Sequence, residues 1–483
     1  MACIYTEKYL MARLRKQIAP LFVVFLLSGC AVQRYKPVPI VASATASQFQ
    51  SRNLADPNVQ AFEERNLGHV MSPWPPKTWD LQTLSLAALY FSPALNSARA
   101  RVTGADAAVM TAGARPNPSL SIAPGIPSPY LLTLDFSIPI ETKGKRGYRI
   151  RVASSLAQAA RFDLADSAWT IRGGVRAALL NYLLASQSLE LFHSEAQVRV
   201  GQVNILEQIF SSGEITKQDV NLARIELSKT RLAITTAEGQ VSEAKAALAA
   251  AIGISLAGLS EAEFSWLGID SPPSAESLSP EEIQRNAILN RLDVRRALAQ
   301  YEATEAGLQL EIAKQYPDIN IGPGYTYEET HSFFTVGLST TVPLFNRNEG
   351  PIAEAEARRK EAAAAFLEKQ AQVVARSERA LAVYKAALKE LSEAESLSKF
   401  QEAQLEITRQ AIRAGADTQL SLDNLEIQKR NIARARLDAL ARAQRALGDL
   451  EDAVQRPLDP GGMLVTITPE SPSLLGPPKD LKR

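Results

Sequence analysis

The sequence is poor in residue types that build common functional sites. Its 483 residues include two cysteines, Cys3 and Cys30, and three histidines, and aromatic residues make up 6%. Two cysteines near the N-terminus cannot form a disulfide framework or a cysteine metal site. The histidines, His69, His193 and His331, are far apart and lack ligand spacing, so we interpret each as a surface or junction residue. The sequence therefore predicts no metal site.

An excess of one charge is also missing. The chain has 53 Lys and Arg residues against 52 acidic residues, for a net charge of +1. Nucleic-acid binding would need a basic surplus on one face, so no nucleic-acid partner is predicted. A Gly-x-Ser-x-Gly elbow is absent, and the Gly322-Pro-Gly324 pair lacks the third glycine of a nucleotide-binding loop. We predict no catalytic residue, no cofactor and no enzymatic activity.

The N-terminal segment has the pattern of an export signal. The apolar run from Ile18 to Leu27 follows basic residues and is shorter than the roughly 20 residues of a membrane-spanning helix. Residues 1–29 are predicted to be a signal peptide, with the start at either Met1 or Met11. The sequence Leu-Ser-Gly-Cys30 resembles the bacterial lipobox, which implies acylation of Cys30 in a Gram-negative outer-membrane lipoprotein. The alternative is a chance cysteine behind an ordinary signal peptide.

The rest of the chain contains an internal repeat of about 200 residues. Ala-Arg-Pro-Asn-Pro118 matches Gln-Tyr-Pro-Asp-Ile319, and Gly213 matches Gly415, in the same order along the chain. The predicted organisation is a signal peptide (1–29), a lipid-anchored extended arm (30–78), a first repeat (79–260), a linker (261–280), a second repeat (281–456) and a Pro/Gly-rich tail (457–483).

Each repeat is predicted to contain a helix, two strands, a long helix, a turn and a helix. Proline is absent from residues 140–271 and 352–456, which are rich in strong helix formers. The predicted helices are Leu81–Gly113, Glu141–Phe210, Ile215–Ile252, Glu281–Tyr316, Glu349–Ile412 and Thr418–Val454; the predicted strands are Ser119–Ala123, Leu131–Ile138, Ile319–Tyr327 and Phe333–Val342.

The strands alternate apolar and polar residues. In the last of them, Phe334, Val336 and Leu338 are separated by small or polar residues. This pattern is typical of a strand with lipid on one side and water on the other, although a small soluble sheet with one buried face would look the same. Four strands cannot close a membrane barrel, for which about eight is the minimum. Two, three or four copies of the chain would have to pool their strands.

The duplicated unit, the segments Ala-Arg-Pro-Asn-Pro118, Ser-Ile-Pro-Ile140 and Thr-Val-Pro-Leu344, and the paired glycine turns resemble the outer-membrane efflux protein family. The resemblance covers about residues 80–456 and implies a mixed α and membrane-β fold. This fold is a homotrimeric 12-stranded β-barrel, with four strands per chain, continued by a long periplasmic α-helical barrel. The implied partners are outer-membrane lipid, a periplasmic adaptor (membrane fusion) protein and an inner-membrane resistance-nodulation-division type pump.

The implied function is that of an outer-membrane channel for export. Gly144-Lys145-Arg146 resembles a stretch common in the cobalt-zinc-cadmium branch, which implies heavy-metal cations as cargo. The structural alternative for these basic residues is the solvation of a strand-to-helix junction. For the whole chain, one alternative is a channel for drugs or other organic compounds, and a second is a coiled-coil envelope lipoprotein that conducts nothing.

The resemblance also implies roles for the two glycine turns. The turns, expected to dock the adaptor, are Ser212, Gly213 and Glu214 in the first repeat and Ala414, Gly415 and Ala416 in the second. Positions six and nine residues after each glycine imply a periplasmic gate, with Asp219, Ser421 and Asn424 as candidates and Asp423 beside them. Three copies of Asp219 around an axis would attract cations, and their repulsion would favour opening. The alternative for Asp219 is an exposed charge near a helix N-terminus.

Overall fold

The computed structural model describes residues 35–125, 131–259 and 262–458. The chain divides into one unit of residues 1–49 and a second of residues 50–483. Helix α1 (Ala42–Gln50) begins in the first unit. Within the described ranges, none of the helices combines the length and the apolar composition needed to cross a membrane.

The second unit contains the repeats, and both of them follow the predicted order of elements. The helices of this unit are α2 (Pro57–Leu67), α3 (Leu81–Phe91), α4 (Pro93–Gly113), α5 (Lys145–Ser211), α6 (Lys217–Ile252), α7 (Pro280–Asn290), α8 (Leu292–Ala313), α9 (Glu349–Arg413) and α10 (Gln419–Val454); the strands are β1 (Thr78–Trp79), β2 (Ser119–Pro124), β3 (Leu131–Ile140), β4 (Glu263–Phe264), β5 (Ile319–Glu328) and β6 (His331–Thr340).

The first helix of each repeat, predicted as one, is two helices. Leu81–Gly113 is broken at Ser92, because Pro93 lacks a backbone N–H and Ser92 caps the helix that follows, accepting a hydrogen bond from Leu95 N at 3.2 Å. Glu281–Tyr316 is broken at Arg291, whose guanidinium donates to the carbonyl oxygens at the C-terminal end of α10. The single-helix predictions were wrong at both places.

The predicted arm also differs from the expectation of an extended chain. Residues 42–50 and 57–67 of this segment are helical. Helix α2 begins after Asp56, whose carboxylate accepts a hydrogen bond from Asn58 N, and Pro57 occupies the first helical position, where a missing N–H costs nothing. Val59 and Phe62 bury this helix against the repeats.

Four strands form one antiparallel sheet in the order β2-β3-β5-β6. Leu134 pairs with Tyr325 across β3 and β5, and Tyr325 pairs with Phe334 across β5 and β6. Each strand pair of the repeats is therefore a hairpin, and β3 and β5 join the two repeats. The last strand ends at Thr340 rather than at the predicted Val342.

The helices follow the same order as the strands. Helix α5 packs against α4 and α6, and also against α8 and α10, and α9 packs against α8 and α10. Helices α5 and α9 have 67 and 65 residues, which corresponds to about 100 Å at about 1.5 Å per residue. The short helices of each repeat therefore lie beside one long helix.

The main core lies where the short helices meet the middle of the long ones. Trp79, Leu179 and Tyr384 are fully buried there. The linker takes part, since Tyr384 Oη donates to the carbonyl of Pro273 at 2.5 Å and Trp266 stacks on the Arg176 guanidinium. This core fixes the positions of the helices that lead to the sheet at one end and to the glycine turns at the other.

Candidate functional site

The four-stranded sheet has one continuous apolar face. The register places these side chains on the same side: Leu120, Ile122, Pro124, Leu132, Leu134, Phe136, Ile138, Ile140, Ile319, Ile321, Pro323, Tyr325, Tyr327, Phe334, Val336 and Leu338. Phe334 and Val336 are 83% and 80% exposed, and no other part of the described chain covers this face. An apolar surface of this kind marks a contact with lipid or protein.

The opposite face is small and mostly polar. It carries Ser119, Ser121, Ala123, Thr133, Asp135, Ser137, Asn320, Gly322, Gly324, Thr326, Glu328, His331, Thr335, Gly337 and Ser339, with Leu131, Pro139 and Phe333 as its larger apolar members. The predicted alternation of the strands is confirmed through the middle of the sheet, and its exceptions, Leu131, Pro139 and Phe333, lie toward the strand ends. A sheet with an apolar and a polar face, neither covered by another described part of the chain, suits a wall between lipid and water.

Both edges of this sheet are open. Strand β2 pairs only with β3, and β6 only with β5, among the described residues. The open edges continue into the helices, because β2 follows α4 and β6 leads into α9, which lie at the two ends of the helix order. A chain with two unpaired edges of this kind is built to associate with further strands.

The basic segment after β3 is explained by the junction that it forms. Lys145 is buried, and its Nζ atom donates to the carbonyl of Tyr316 at 2.5 Å and pairs with Asp318 at 2.7 Å. Arg146 Nε donates to the carbonyl of Gly113, at the C-terminal end of α4, at 2.6 Å. These cations satisfy carbonyl groups that helix ends leave unpaired. The structural alternative considered for this segment thus accounts for both residues.

The two glycine turns have matching geometry. Gly213 and Gly415 both have positive φ, at 80° and 73°, which favours glycine at a helix end. Ser212, Glu214, Ala414 and Ala416 flank them and are exposed, as are the glycines. The predicted turn residues therefore lie together at each tip, with no buried apolar side chain among them.

Asp219 serves as a helix cap. Its carboxylate accepts hydrogen bonds from Thr216 N at 2.9 Å and from Thr216 Oγ1 at 2.7 Å, while Thr216 caps α6 in return. The hydrogen bond from the Thr216 hydroxyl is the main reason why the pKa of Asp219 lies below its ordinary value. Asp219 remains exposed, so its negative charge still faces the surroundings.

The second-repeat candidates have different environments. Asp423 is buried and accepts a hydrogen bond from Gln419 at 2.8 Å. Ser421 donates to Asp417 at 3.2 Å, and Asn424 accepts from Gln202 of α5 at 2.6 Å. Of the four gate candidates, Asp219 alone presents an exposed carboxylate in this chain.

Between the tips and the core, a buried charge joins three helices. Glu195 of α5 accepts hydrogen bonds from Arg199 in its own helix, from Arg434 of α10 and from Thr230 of α6. Arg430 adds a further bond from α10 to Ser194. This cluster, which sequence reasoning missed, ties the hairpin of α5 and α6 to that of α9 and α10.

A cleft of about 730 Å³ between helices α5, α8, α9 and α10 is lined by charges of both signs. Arg291 pairs with Asp293 at 2.8 Å, and Trp169 Nε1 donates to Asp452 at 2.7 Å. Because cations and anions are paired along its walls, the cleft is best explained as part of the packing between the repeats. Within the described ranges, no cluster of three or more His, Cys, Asp or Glu residues could hold a metal ion. Cys30, the predicted lipidation site, lies outside the described residues.

Comparisons with known proteins agree with this architecture. The model of the family "Outer membrane efflux protein" matches residues 84–254 and 284–454, one match in each repeat. The crystal structure of the outer membrane protein VceC from Vibrio cholerae has a TM-score of 0.62 at 22% identity, and the likeness covers 78% of this chain and 97% of VceC. The predicted fold class, with its duplicated helix-strand-strand-helix unit, is confirmed.

Two curated relatives resemble parts of the chain. The cobalt-zinc-cadmium resistance protein CzcC of Cupriavidus metallidurans is 25% identical over 265 residues, which is 54% of this chain and 62% of CzcC. The pyoverdine export outer membrane protein OpmQ of Pseudomonas aeruginosa is 23% identical over 296 residues, 55% of this chain and 61% of OpmQ. The chain thus spans less than two thirds of the length of each. Since the family model matches both repeats and more than half of the sequence, the chain belongs to the outer membrane efflux protein family.

Proposed function

We propose that this chain is the outer-membrane channel of a tripartite efflux system. The observation that carries the proposal is the four-stranded sheet, which has an exposed apolar face, a small polar face and two open edges. In a member of this family, such a sheet suits the part of a membrane barrel that one chain contributes. The barrel spans the outer membrane, and the polar face lines a water-filled lumen.

The active form is a homotrimer. Three copies pool 12 strands when β6 of one copy pairs with β2 of the next, which leaves no edge open. The helices at the two ends of the helix order also expose apolar side chains, which suit contacts between neighbouring copies in the helical part. These side chains are Leu222 and Leu232 on α6, and Leu367, Phe400 and Ile407 on α9. Such stripes suit helix packing between copies.

The remaining partners follow from the family. The exposed turns at Gly213 and Gly415 dock a periplasmic adaptor, which links the channel to an inner-membrane pump of the resistance-nodulation-division type. Acylation at Cys30 anchors the chain to the outer membrane, which it spans with its strands while its helices extend into the periplasm. Asp219 of the first repeat, together with Ser421, Asp423 and Asn424 of the second, forms the periplasmic gate.

Heavy-metal cations are the proposed cargo. The likeness to CzcC, named for cobalt, zinc and cadmium resistance, supports this choice. The likeness to OpmQ, named for pyoverdine export, favours an organic cargo as the second candidate.

The test is the growth of a deletion strain on graded zinc, cobalt, cadmium, copper and silver, beside a panel of hydrophobic antibiotics and detergents. We expect sensitivity to one or two metals, reversed by the wild-type gene. Sensitivity to organic compounds alone would contradict the metal cargo. Full rescue by a chain that lacks both strand hairpins would contradict the channel itself and favour a non-conducting envelope lipoprotein.

A further inference from the structure

The polar face of the sheet carries one ionisable residue away from its ends. Asp135 lies in the middle of β3, paired with Ser121 of β2 on one side and with Gly324 of β5 on the other. The other ionisable residues of this face, Glu328 and His331, form the last pair beside the β5–β6 turn. Asp135 is therefore the single ionisable side chain in the middle of an otherwise neutral polar face.

The Asp135 carboxylate is exposed and uncompensated. Within residues 35–125, 131–259 and 262–458 its side chain makes no hydrogen bond or ion pair. By contrast, Asp318, which directly precedes β5, is paired with Lys145 at 2.7 Å. An unpaired carboxylate in a water-lined wall exerts its field on passing solutes rather than on a neighbouring side chain.

Gly324 leaves the space that this side chain uses. A Cβ atom at Gly324 would lie 2.8 Å from Asp135 Oδ1 and 2.5 Å from Thr335 Oγ1. Asp135 and Thr335 therefore extend over a bare stretch of β5 from the strands on either side. Because Gly324 has no side chain, the Asp135 carboxylate stays exposed on the polar face of the sheet.

We propose that Asp135 makes the barrel lumen selective for cations. The inference rests on the proposed function, because it needs the polar face to line a conduit. In a homotrimer, three copies of Asp135 form one ring of negative charge at mid-height of the barrel, and rings of carboxylates favour cations in channels. The ring lies in the barrel, far along the chain from the proposed gate at Asp219, and it would favour metal cations over anionic organic compounds as cargo.

The experiment measures the local potential with a reporter cysteine. Ser121→Cys places a thiol directly across from Asp135, at a Cβ separation of about 5 Å. In intact cells, the thiol is allowed to react with a cationic and with an anionic methanethiosulfonate of equal size. The ratio of the cationic to the anionic rate is then compared between chains with Asp135 and chains with Asp135→Asn. The Asp135 carboxylate lies about 6 Å from this thiol. Its removal should lower the cationic-to-anionic rate ratio about sixfold at about 10 mM salt and less than twofold at about 0.5 M salt.

Matched variants make the result specific. Adding Ser137→Asp to Asp135→Asn moves the charge two residues along the same face and should restore the ratio, whereas Ser137→Asn should not. Ile122→Cys, on the apolar face, should react with neither reagent, and cells with the parent chain give the background reaction.

The outcomes separate the inference from the proposed function. If Ser121→Cys reacts with both reagents and Asp135→Asn leaves the ratio unchanged, the selectivity inference is wrong and the channel stands. If Ser121→Cys does not react from outside while Ile122→Cys does, the polar face does not line a water-filled lumen, and both are wrong.

Discussion

Glu195 of α5 accepts a hydrogen bond from Arg434 of α10 at 2.7 Å, although the two residues are 239 positions apart. Glu195 is 3% exposed. Burial opposes ionisation of its carboxyl group, but hydrogen bonds from Arg199 and Arg434 outweigh that effect and lower its pKa. A buried anion therefore joins the two helical hairpins of the chain.

Glu195→Gln should destabilise the chain by about 3 kcal/mol, because it leaves two guanidinium groups facing a neutral amide in a buried site. Arg434→Gln should cost less, since Arg199 remains as a partner. In a double-mutant cycle the two losses should not add, which thermal unfolding of the purified protein would measure. Since the pKa is lowered, the contribution of Glu195 is present above its ordinary value of 4.5 and is lost as the pH falls through the folded value.

The control for this pair is on the surface. Arg442 and Glu390 form an exposed ion pair at 2.7 Å between α10 and α9. Arg442→Gln should cost less than about 1 kcal/mol. Equal losses for Glu195→Gln and Arg442→Gln would contradict the role assigned to the buried charge.

Glu63 of α2 presents the opposite case, a buried carboxyl group to which no described residue is hydrogen-bonded. It is fully buried, and neither oxygen has a hydrogen-bond partner among the described residues. Burial, and then the charge of Asp80, raise its pKa to about 8. At neutral pH the group is therefore protonated beneath α2.

The raised pKa predicts that α2 loosens in alkaline solution. The protonated form contributes stability that is complete below about pH 4.5 and is lost as the pH rises through 8, at up to about 1.4 kcal/mol per pH unit. Glu63→Met should remove this dependence and stabilise the chain. Unfolding temperatures and protease cleavage at residues 57–67, measured from about pH 5 to about pH 9, would check it. Equal pH profiles for both proteins would contradict the prediction.

The sequence predicted the long helices and the four strands because their signals are local or repeated. A proline-free run favours a helix, and alternation within one strand is visible without knowledge of its partners. The break at Ser92 also had a local signal, Pro93, which the prediction overlooked. The break at Arg291 has no proline, and Arg291 donates there to carbonyls of α10 that are more than 160 positions away, a contact that the sequence does not reveal.

The side-chain partners of the site could not be predicted in the same way. Asp219 was placed at the gate by its distance from Gly213, whereas its capping of Thr216 depends on where α6 begins. Asp135 has no motif, and its isolation on the polar face follows only from the register of four strands. Glu195 resembles any other helix residue until α10 lies beside it.

The two faces of the sheet predict which charged substitutions will reduce assembly in the outer membrane. Val336 and Thr335 are neighbours in β6 with opposite faces. Val336→Arg should cost about 2–4 kcal/mol per copy, because it places a charge in lipid, and should reduce the amount of protein assembled in the outer membrane. Thr335→Arg should be tolerated, since it faces water. Equal loss of assembled protein from both would contradict the assignment of the polar face to water.

Asp219 has two roles to distinguish, as a helix cap and as a proposed gate charge. Substitutions of Asp219 and of Thr216, to which it is hydrogen-bonded, separate them. Asp219→Asn keeps an oxygen that can accept from Thr216 N but removes the charge, and Asp219→Glu keeps the charge and suits the third helical position. Thr216→Ala removes the cap and leaves the carboxylate in place. If the charge acts in the gate, Asp219→Asn should change the conductance of the purified channel in a lipid bilayer, while Asp219→Glu and Thr216→Ala should not. If Thr216→Ala changes the conductance as much as Asp219→Asn does, the residue acts through the helix end, because loss of the cap would then be sufficient.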